Sequence, residues 1–175
     1  SGLIRVGLDG AQRHAVPLPI AGNLFGPVTD PQQPGALFNM QGWTQPAQLY
    51  AYDPSDDSTS NTGLLPASNI DTSNLESREV TVTSHDGVRV PLSIVYRKGT
   101  RLDGSHPTII EAYGSYGIAS DPFFWPMSVA WIERGGIWAT AHVRGGGELG
   151  EGWHRDGMMR TKLNTIFDFV ACSQY

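Results

Sequence analysis

Cysteine, basic charge and long apolar runs are all scarce in this sequence, and each shortage excludes a class of protein. The 175 residues include one cysteine, Cys172, which excludes an internal disulfide and a cysteine-rich zinc site. The 12 Lys and Arg against 17 Asp and Glu give a net charge of −5, and no basic cluster indicates a nucleic-acid surface. No apolar run approaches the roughly 18 residues of a membrane span. We therefore expect neither nucleic acid nor a membrane as a partner.

What the sequence does contain is typical of a folded, turn-rich protein. Hydrophobic residues make up 39% and charged residues 17%, which allows the packed core of one ordinary domain or two small ones. The 21 glycines and 12 prolines disfavour an all-helical bundle. The chain opens at Ser1 without a methionine and closes inside a predicted helix, so we expect an internal segment of a longer protein. It contains no signal segment, and its compartment, cytoplasmic or periplasmic, is left open.

Residues 1–54 have the pattern of short strands separated by turns. Alternation predicts strands over 3–8, 36–40 and 48–52, and the prolines between them exclude a helix. Strands at this spacing are typical of a propeller blade, a sandwich or a barrel.

Residues 55–75 are expected to connect two domains. Of residues 55–74, fourteen are Ser, Thr, Asn or Asp, which is the clearest change of composition in the chain. A disordered functional segment is the alternative interpretation. The apolar residues Leu64, Leu65 and Ile70 argue against it, because they indicate that the segment lies against something.

From residue 76 onward the pattern changes to that of an α/β domain. We expect a β-hairpin around Asp86-Gly87, then strand, helix, strand and helix, at 80–83 and 88–96, 107–113, 125–134, 137–143 and 162–175. The strand at 137–143 is almost wholly apolar, which is typical of a strand buried on both faces of a parallel sheet.

The spacing also predicts which residues share one face of each helix, and it makes the second helix amphipathic. In the first helix the predicted face carries Met127, Ala130, Trp131 and Arg134. In the second helix it carries Leu163, Phe167, Val170 and Ala171.

A glycine-rich loop follows the apolar strand and allows two interpretations. Gly145, Gly147 and Gly150 fit the dinucleotide-binding pattern, with Asp168 eighteen residues further on. That pattern needs a helix to begin among the glycines, whereas residues 152–157 intervene and Asp168 lies in the next helix. The second interpretation is a tight structural loop in which Arg144 and Glu148 pair across the turn.

The same loop carries a family resemblance. Residues 144–154, Arg-Gly-Gly-Gly-Glu-Leu-Gly-Glu-Gly-Trp-His, resemble a loop of the prolyl oligopeptidase family of serine peptidases, which includes oligopeptidase B. Four further segments resemble the family in the same order, at 83–91, 104–107, 113–117 and 164–169. Residues 42–46, Gly-Trp-Thr-Gln-Pro, are similar more loosely to the end of the family's β-propeller.

The resemblance implies a fold and a division of the chain. Family members place a seven-bladed propeller over an α/β-hydrolase domain. Residues 1–54 would end the propeller, 55–75 would connect, and 76–175 would be the N-terminal part of the α/β hydrolase, truncated before the nucleophile elbow. No G-x-S-x-G elbow occurs in the chain, and Ser115 fails the pattern because Tyr113 stands where the first glycine is needed. We therefore expect none of the Ser-Asp-His triad in this chain.

The resemblance also implies an activity for the complete protein and roles for particular residues. The complete protein would hydrolyse short peptides through an acyl-enzyme intermediate, without cofactor or metal, and this segment alone would be inactive. Tyr113 would donate its hydroxyl to the oxyanion, and Tyr116 would line the substrate pocket. The structural loop comprises Arg144, Gly145, Gly146, Gly147, Glu148, Gly150, Trp153 and His154.

Several questions stay open at this stage. The segment's partners would be peptide substrates and the remainder of its own propeller and hydrolase domains. The alternatives are a non-catalytic, truncated or degenerate module and a fragment of an α/β-hydrolase esterase. The segments Gly-Ser-Tyr-Gly and Glu-Leu-Gly favour oligopeptidase B. They do not decide whether the complete protein cleaves at proline or at basic residues. The histidines His85, His106, His142 and His154 lack metal-ligand spacing.

Overall fold

The computed structural model describes residues 2–175, and within them the chain forms two compact units. The first unit comprises the residues up to Asp71 together with Pro122–Phe124. The second unit comprises Thr72–Asp121 and Trp125–Tyr175. Each unit has its own buried apolar cluster, so each is described by itself.

The first unit is built from antiparallel strands. A short pair precedes a four-stranded sheet whose spatial order follows the sequence. The strands are β1 Ile4–Val6, β2 Arg13–Ala15, β3 Asn23–Asp30, β4 Gln33–Gln41, β5 Gln48–Asp53 and β6 Ser58–Asn61. Its core contains Val16, Phe38, Met40, Tyr50 and Tyr52. The three strands predicted from alternation are confirmed, since they fall on β1, β4 and β5.

Two strands of this sheet lack the alternating pattern, so the sequence did not indicate them. In β3 the pairing register shifts between Phe25 and Val28, where Gly26 has a φ of +59° and Pro27 has no amide hydrogen. A bulge on an edge strand is where a sheet tolerates both residues. Strand β6 lies inside the polar stretch expected to connect domains, and it pairs with β5 as an edge strand of mostly exposed side chains.

The second unit is a mixed four-stranded sheet with helices. Its spatial order is β7-β8-β10-β9, with β10 antiparallel to β8 and parallel to β9. The elements are β7 Leu75–Thr83, β8 Arg89–Arg97, β9 Thr108–Glu111, α1 Pro126–Ile132, β10 Ile137–Ala141, α2 Glu151–Arg155 and α3 Leu163–Gln174, with a 3-10 turn at Met159–Thr161. The predicted hairpin, strands and two helices are confirmed. The apolar strand β10 is buried at four of its five residues, and it lies between an antiparallel neighbour, β8, and a parallel neighbour, β9.

The apolar side predicted for α3 is largely exposed in this chain. Leu163 and Phe167 are 64% and 43% exposed, while α3 buries Thr165, Asp168 and Cys172. The polar residues set the rotation of the helix, because the Asp168 carboxylate bonds inward to Arg144. An unpaired buried charge is costly, so its partner decides the orientation of the helix over the apolar pattern.

The face predicted for α1 is only partly buried. This helix buries Ser128, Val129 and Ile132, and Met127 is exposed. Trp131 is half-buried, and its Nε1 donates to the carbonyl of Ile137 at 3.0 Å. Seven residues make about two turns, which is too short for apolar spacing to fix a face reliably.

Candidate functional site

Two loops meet where the parallel strands β9 and β10 end. The tyrosine loop, residues 113–117, follows β9, and the glycine loop, residues 144–150, follows β10. The carboxyl ends of parallel neighbours lie at one edge of a sheet, which is where α/β folds gather their functional groups. The amide of Gly117 donates to the carbonyl of Gly145 at 3.1 Å and joins the two loops directly.

Glycines are required because the backbones of these loops pack against each other. A Cβ at Gly145 would overlap the carbonyl oxygen of Gly114, and a Cβ at Gly147 would overlap that of Gly117. Gly157 is equally close to the backbone of the glycine loop. The space beside these glycines is thus filled by carbonyl oxygens, which repel an anion. Helix α2 begins only at Glu151 and is five residues long, so the geometry argues against a dinucleotide site.

Arg144 is buried between two carboxylates from distant parts of the unit. Its Nε and Nη2 donate to the two oxygens of Asp168 at 2.9 and 2.7 Å. Its Nη1 and Nη2 donate to the two oxygens of Asp86 at 2.6 and 3.1 Å. Arg144 is 2% exposed and Asp168 is fully buried, so the guanidinium fork is nearly saturated away from water.

Further hydrogen bonds complete this cluster. The Ser84 hydroxyl donates to Asp168 Oδ1 at 2.6 Å, and the Arg144 amide donates to Asp168 Oδ2 at 3.0 Å. Hydrogen bonds from Arg144 hold the pKa of Asp86 down at about 2, and the same carboxylates raise the pKa of the guanidinium. The cluster ties the β7–β8 hairpin, the glycine loop and α3 together.

The expected pairing of Arg144 with Glu148 is wrong. Glu148 Oε1 instead lies 3.7 Å from His142 Nδ1 and accepts the amide of Ser120 at 2.9 Å. Burial raises the pKa of Glu148, but the hydrogen bonds from His142 and Ser120 outweigh it, so the net pKa is lowered. Asp86 and Asp168 already pair with the guanidinium of Arg144, so Glu148 is not required to neutralise its charge.

Ser93, His142 and Glu148 form a line that has the order of a catalytic triad. Ser93 Oγ and His142 Nε2 share a hydrogen bond of 2.8 Å, and Glu148 lies at the other side of the imidazole. Ser93 is 2% exposed on strand β8, so a substrate carbonyl has no path to its hydroxyl. The line therefore connects the sheet to Ser120 and does not form a nucleophile.

Other residues of the predicted structural loop support the glycine loop from α2. Trp153 Nε1 donates to the carbonyl of His142 at 3.2 Å, and His154 Nδ1 donates to that of Gly145 at 2.9 Å. Gly146 packs on the Glu148 carboxylate, and Gly150 precedes α2 with a φ of +87°. All the residues of the predicted loop thus lie in one network.

The tyrosine loop exposes its side chains while its backbone is fixed. Tyr113 is 51% exposed and Tyr116 is 83% exposed. Tyr116 has a φ of +57°, a left-handed conformation that is uncommon outside glycine and is found at functional sites. Lys162 Nζ donates to the carbonyl of Gly114 at 2.5 Å and to Ser115 Oγ at 3.0 Å. Two phenol rings are therefore presented on an anchored backbone.

Sequence reasoning missed the residues that reach this region from elsewhere. Asp86 was read only as a turn residue, and Ser84, Lys162 and Thr165 carried no assigned role. Their partners lie 21 to 84 residues away along the chain, so no spacing rule connects them. The resemblance of residues 83–91 and 164–169 to the family was the one available signal for Ser84, Asp86 and Thr165, and no signal pointed to Lys162.

No cofactor or metal site is evident around the loops. Among residues 2–175, no group of three His, Cys, Asp or Glu side chains is placed to hold a metal ion. Burial raises the pKa of the Cys172 thiol to about 12, so it is not a nucleophile at neutral pH. Within the same residues, no helix has the length and apolar character needed to cross a membrane.

Comparison with known proteins decides the family. Residues 123–175 match the sequence model of the prolyl oligopeptidase family. Prolyl endopeptidase from Elizabethkingia meningoseptica is 32% identical over 169 residues, which are 95% of this chain and 24% of the relative. The chain belongs to the prolyl oligopeptidase family. A relative named Protease 2, from Moraxella lacunata, is 42% identical over 105 residues, which are 60% of this chain and 15% of that protein.

The fold places the chain in the same family. A structure of prolyl oligopeptidase B from Galerina marginata, solved with a 35mer hydrolysis and macrocyclization substrate, matches with a TM-score of 0.89 and 30% identity. The match covers 99% of this chain and 25% of that one. This member of the prolyl oligopeptidase family therefore spans about a quarter of the length of the prolyl endopeptidase and of the prolyl oligopeptidase B that it matches.

Proposed function

We propose that the complete protein carrying this segment is a serine peptidase that hydrolyses short peptides through an acyl-enzyme intermediate. The observation that carries the proposal is similarity to a prolyl endopeptidase over 95% of the chain. The exposed tyrosine loop at the carboxyl ends of β9 and β10 supports it, because substrate-binding groups in open α/β sheets gather there.

In this proposal residues 1–54 end a β-propeller, 55–75 connect, and 76–175 begin an α/β-hydrolase domain. The antiparallel four-stranded sheet of the first unit is consistent with a propeller blade. The parallel pair β9 and β10, joined through α1, is consistent with the start of a hydrolase sheet. The apolar face of α3 and the outer edge of β9 would then be covered by later parts of the same domain.

Tyr113 is the oxyanion donor in this proposal. A phenol hydroxyl is neutral at pH 7 and can donate toward the oxygen that becomes negative when the carbonyl is attacked. The half-exposed ring and the fixed Gly114 backbone suit a donor that must keep its position as charge develops. Tyr116, on the same loop, is proposed to contact the substrate.

The nucleophile and its partners are proposed to come from outside these 175 residues. The sequence holds no G-x-S-x-G elbow, and the one Ser-His-carboxylate line described above is buried. The proton steps of acylation would thus be performed by a triad supplied by the rest of the protein. This segment would contribute the hydroxyl that stabilises the tetrahedral intermediate and the loops that hold it.

Peptide hydrolysis by the complete protein tests this function. Fluorogenic prolyl and arginyl peptides are the substrates, and a serine-directed fluorophosphonate is the inhibitor. We expect fluorophosphonate-sensitive hydrolysis of at least one peptide, and the preferred peptide assigns proline or basic specificity. Absence of hydrolysis of both peptides would contradict the proposal, and ester hydrolysis alone would indicate an esterase of the same fold.

The 175-residue chain by itself is expected to cleave neither peptide, because the triad lies elsewhere. The same two substrates test this directly. Fluorophosphonate-sensitive turnover by the isolated chain would show that a nucleophile lies within these residues.

A further inference from the structure

Lys162 anchors the tyrosine loop through two hydrogen bonds. Its Nζ donates to the carbonyl of Gly114 and to the hydroxyl of Ser115, which lie 48 and 47 residues earlier in the sequence. Its side chain is half-buried, which shields these bonds partly from water. Both acceptors lie between Tyr113 and Tyr116, so the ammonium holds the part of the loop that carries both rings.

Lys162 lies at the junction between the 3-10 turn at Met159–Thr161 and α3. Its φ of −55° and ψ of −29° are helical, and no side-chain hydrogen bond caps α3. The ammonium therefore does not cap the helix, and its hydrogen bonds are directed to the tyrosine loop.

The remaining anchors of the tyrosine loop act at different points. Gly117 bonds the glycine loop through its amide, and Gly114 packs on the methyl groups of Val143 and Thr165. The amide of Ile118 donates to the carbonyl of Ser115 at 3.1 Å, which closes a turn within the chain segment but does not tie that turn to another element. Loss of Lys162 would remove the hydrogen bonds that tie the Gly114 carbonyl and the Ser115 hydroxyl to the residue before α3, between the two tyrosines.

We propose that Lys162 is a positioning residue that holds the tyrosine loop so that the Tyr113 hydroxyl meets the developing oxyanion. This inference rests on the proposed function of the complete protein. A donor displaced by about 1 Å can cost roughly 10²-fold in rate, because a catalytic hydrogen bond depends on a fixed geometry. The effect falls on kcat, since the ground-state carbonyl carries little of the charge.

The test compares five variants of the complete protein on the better peptide substrate. Lys162→Met keeps an unbranched stem and removes the ammonium. Lys162→Arg restores a cation with N–H donors. Lys98→Met is the matched control, because Lys98 Nζ donates to the carbonyl of Ser73 at 2.6 Å on the exposed surface of the same unit. The last two variants are Tyr113→Phe alone and Tyr113→Phe combined with Lys162→Met.

We expect Lys162→Met to lower kcat by about 10- to 100-fold with KM within about threefold of the unmodified protein. Lys162→Arg should recover most of kcat, and Lys98→Met should keep it. The melting temperatures of Lys162→Met and Lys98→Met should agree closely. In the double variant, kcat should be within about twofold of Tyr113→Phe alone, because a missing hydroxyl cannot be mispositioned.

Each other outcome overturns a definite part of the proposal. Unchanged kcat in Lys162→Met overturns the positioning role even if Tyr113→Phe is slow. Additive losses in the double variant, or a fall in melting temperature specific to Lys162→Met, assign Lys162 to general stability. Full kcat in Tyr113→Phe overturns the oxyanion role and this inference together, whereas inactivity of the unmodified protein overturns the proposed function.

Discussion

The tyrosine loop and the glycine loop follow neighbouring parallel strands, yet they differ in what they bury. The tyrosine loop buries backbone at Gly114 and exposes the rings of Tyr113 and Tyr116. The glycine loop buries the charged side chain of Arg144 and packs its glycines on the backbone of the other loop. The difference indicates a division of labour in which one loop presents chemical groups and the other supports them.

This comparison predicts that the two loops respond differently to substitution. Changes in the glycine loop should lower the free energy of unfolding of the complete protein. Changes to the exposed rings should lower activity and leave stability nearly unchanged.

The largest effect is expected for Arg144→Met. This change leaves the fully buried Asp168 carboxylate without its cation, and removing one member of a buried ion pair costs about 3–5 kcal/mol. Urea unfolding of the complete protein measures the loss. The control is Arg155→Met, whose ion pair with Glu151 is exposed and is worth about 0.5 kcal/mol or less. Equal losses in the two variants would contradict a supporting role for the glycine loop.

A smaller loss is expected for Gly147→Ala. Gly147 does not have a positive φ, so alanine can adopt its backbone conformation. The added Cβ would nevertheless overlap the carbonyl oxygen of Gly117, and overpacking costs about 1–3 kcal/mol. Gly152→Ala is the matched control, because a Cβ there meets open space and alanine is favoured over glycine in a helix. Urea unfolding should show a loss for the first variant and none for the second. If both are neutral, the two loops do not pack as described.

The smallest effect on the free energy of unfolding is expected for Asp86→Asn, and it is expected at acidic pH. Hydrogen bonds from Arg144 depress the pKa of Asp86 to about 2, below the value of about 3.9 usual for an unfolded chain. A carboxylate whose pKa is lower in the folded protein stabilises the fold at pH values above its pKa in the unfolded chain. That contribution is lost as the pH falls from about 4 to about 2. Asp86→Asn should therefore flatten the dependence of unfolding free energy on pH in this window. An unchanged slope would show that Asp86 is not coupled to Arg144 in solution.

Much of the fold of the second unit could be predicted from local patterns. Asp86-Gly87 marks the hairpin, and the apolar run at 137–143 marks a central strand, because turn chemistry and hydrophobic burial act over a few residues. The close approach of the loops follows from the same logic, since Gly145 and Gly147 are needed where backbones meet.

The ion pairs and the rotation of α3 could not be predicted in this way. Arg144 has its partners 58 and 24 residues away, at Asp86 and Asp168. Local spacing favoured Glu148 as the partner of Arg144, and it gave no sign that Asp168 faces inward while Leu163 and Phe167 are exposed. A buried charge fixes the helix from a distance, and only the folded structure shows which charge does so.

Local patterns also failed to predict two strands of the first unit. Strands β3 and β6 have few buried side chains, so their sequences do not alternate between apolar and polar residues and do not predict a strand. Their pairing with β4 and β5 is held by backbone hydrogen bonds at the edges of the sheet, which every residue except proline can both donate and accept.

The division of labour between the loops is tested most directly by kinetics and unfolding of the Tyr113→Phe variant of the complete protein. The account predicts a fall in kcat of roughly 10²–10³, the scale for one oxyanion donor, with the melting temperature nearly unchanged. The ring remains, and the half-exposed hydroxyl leaves no buried group unpaired. Full kcat, or a change in KM alone, would show that Tyr113 packs or binds and does not stabilise the oxyanion.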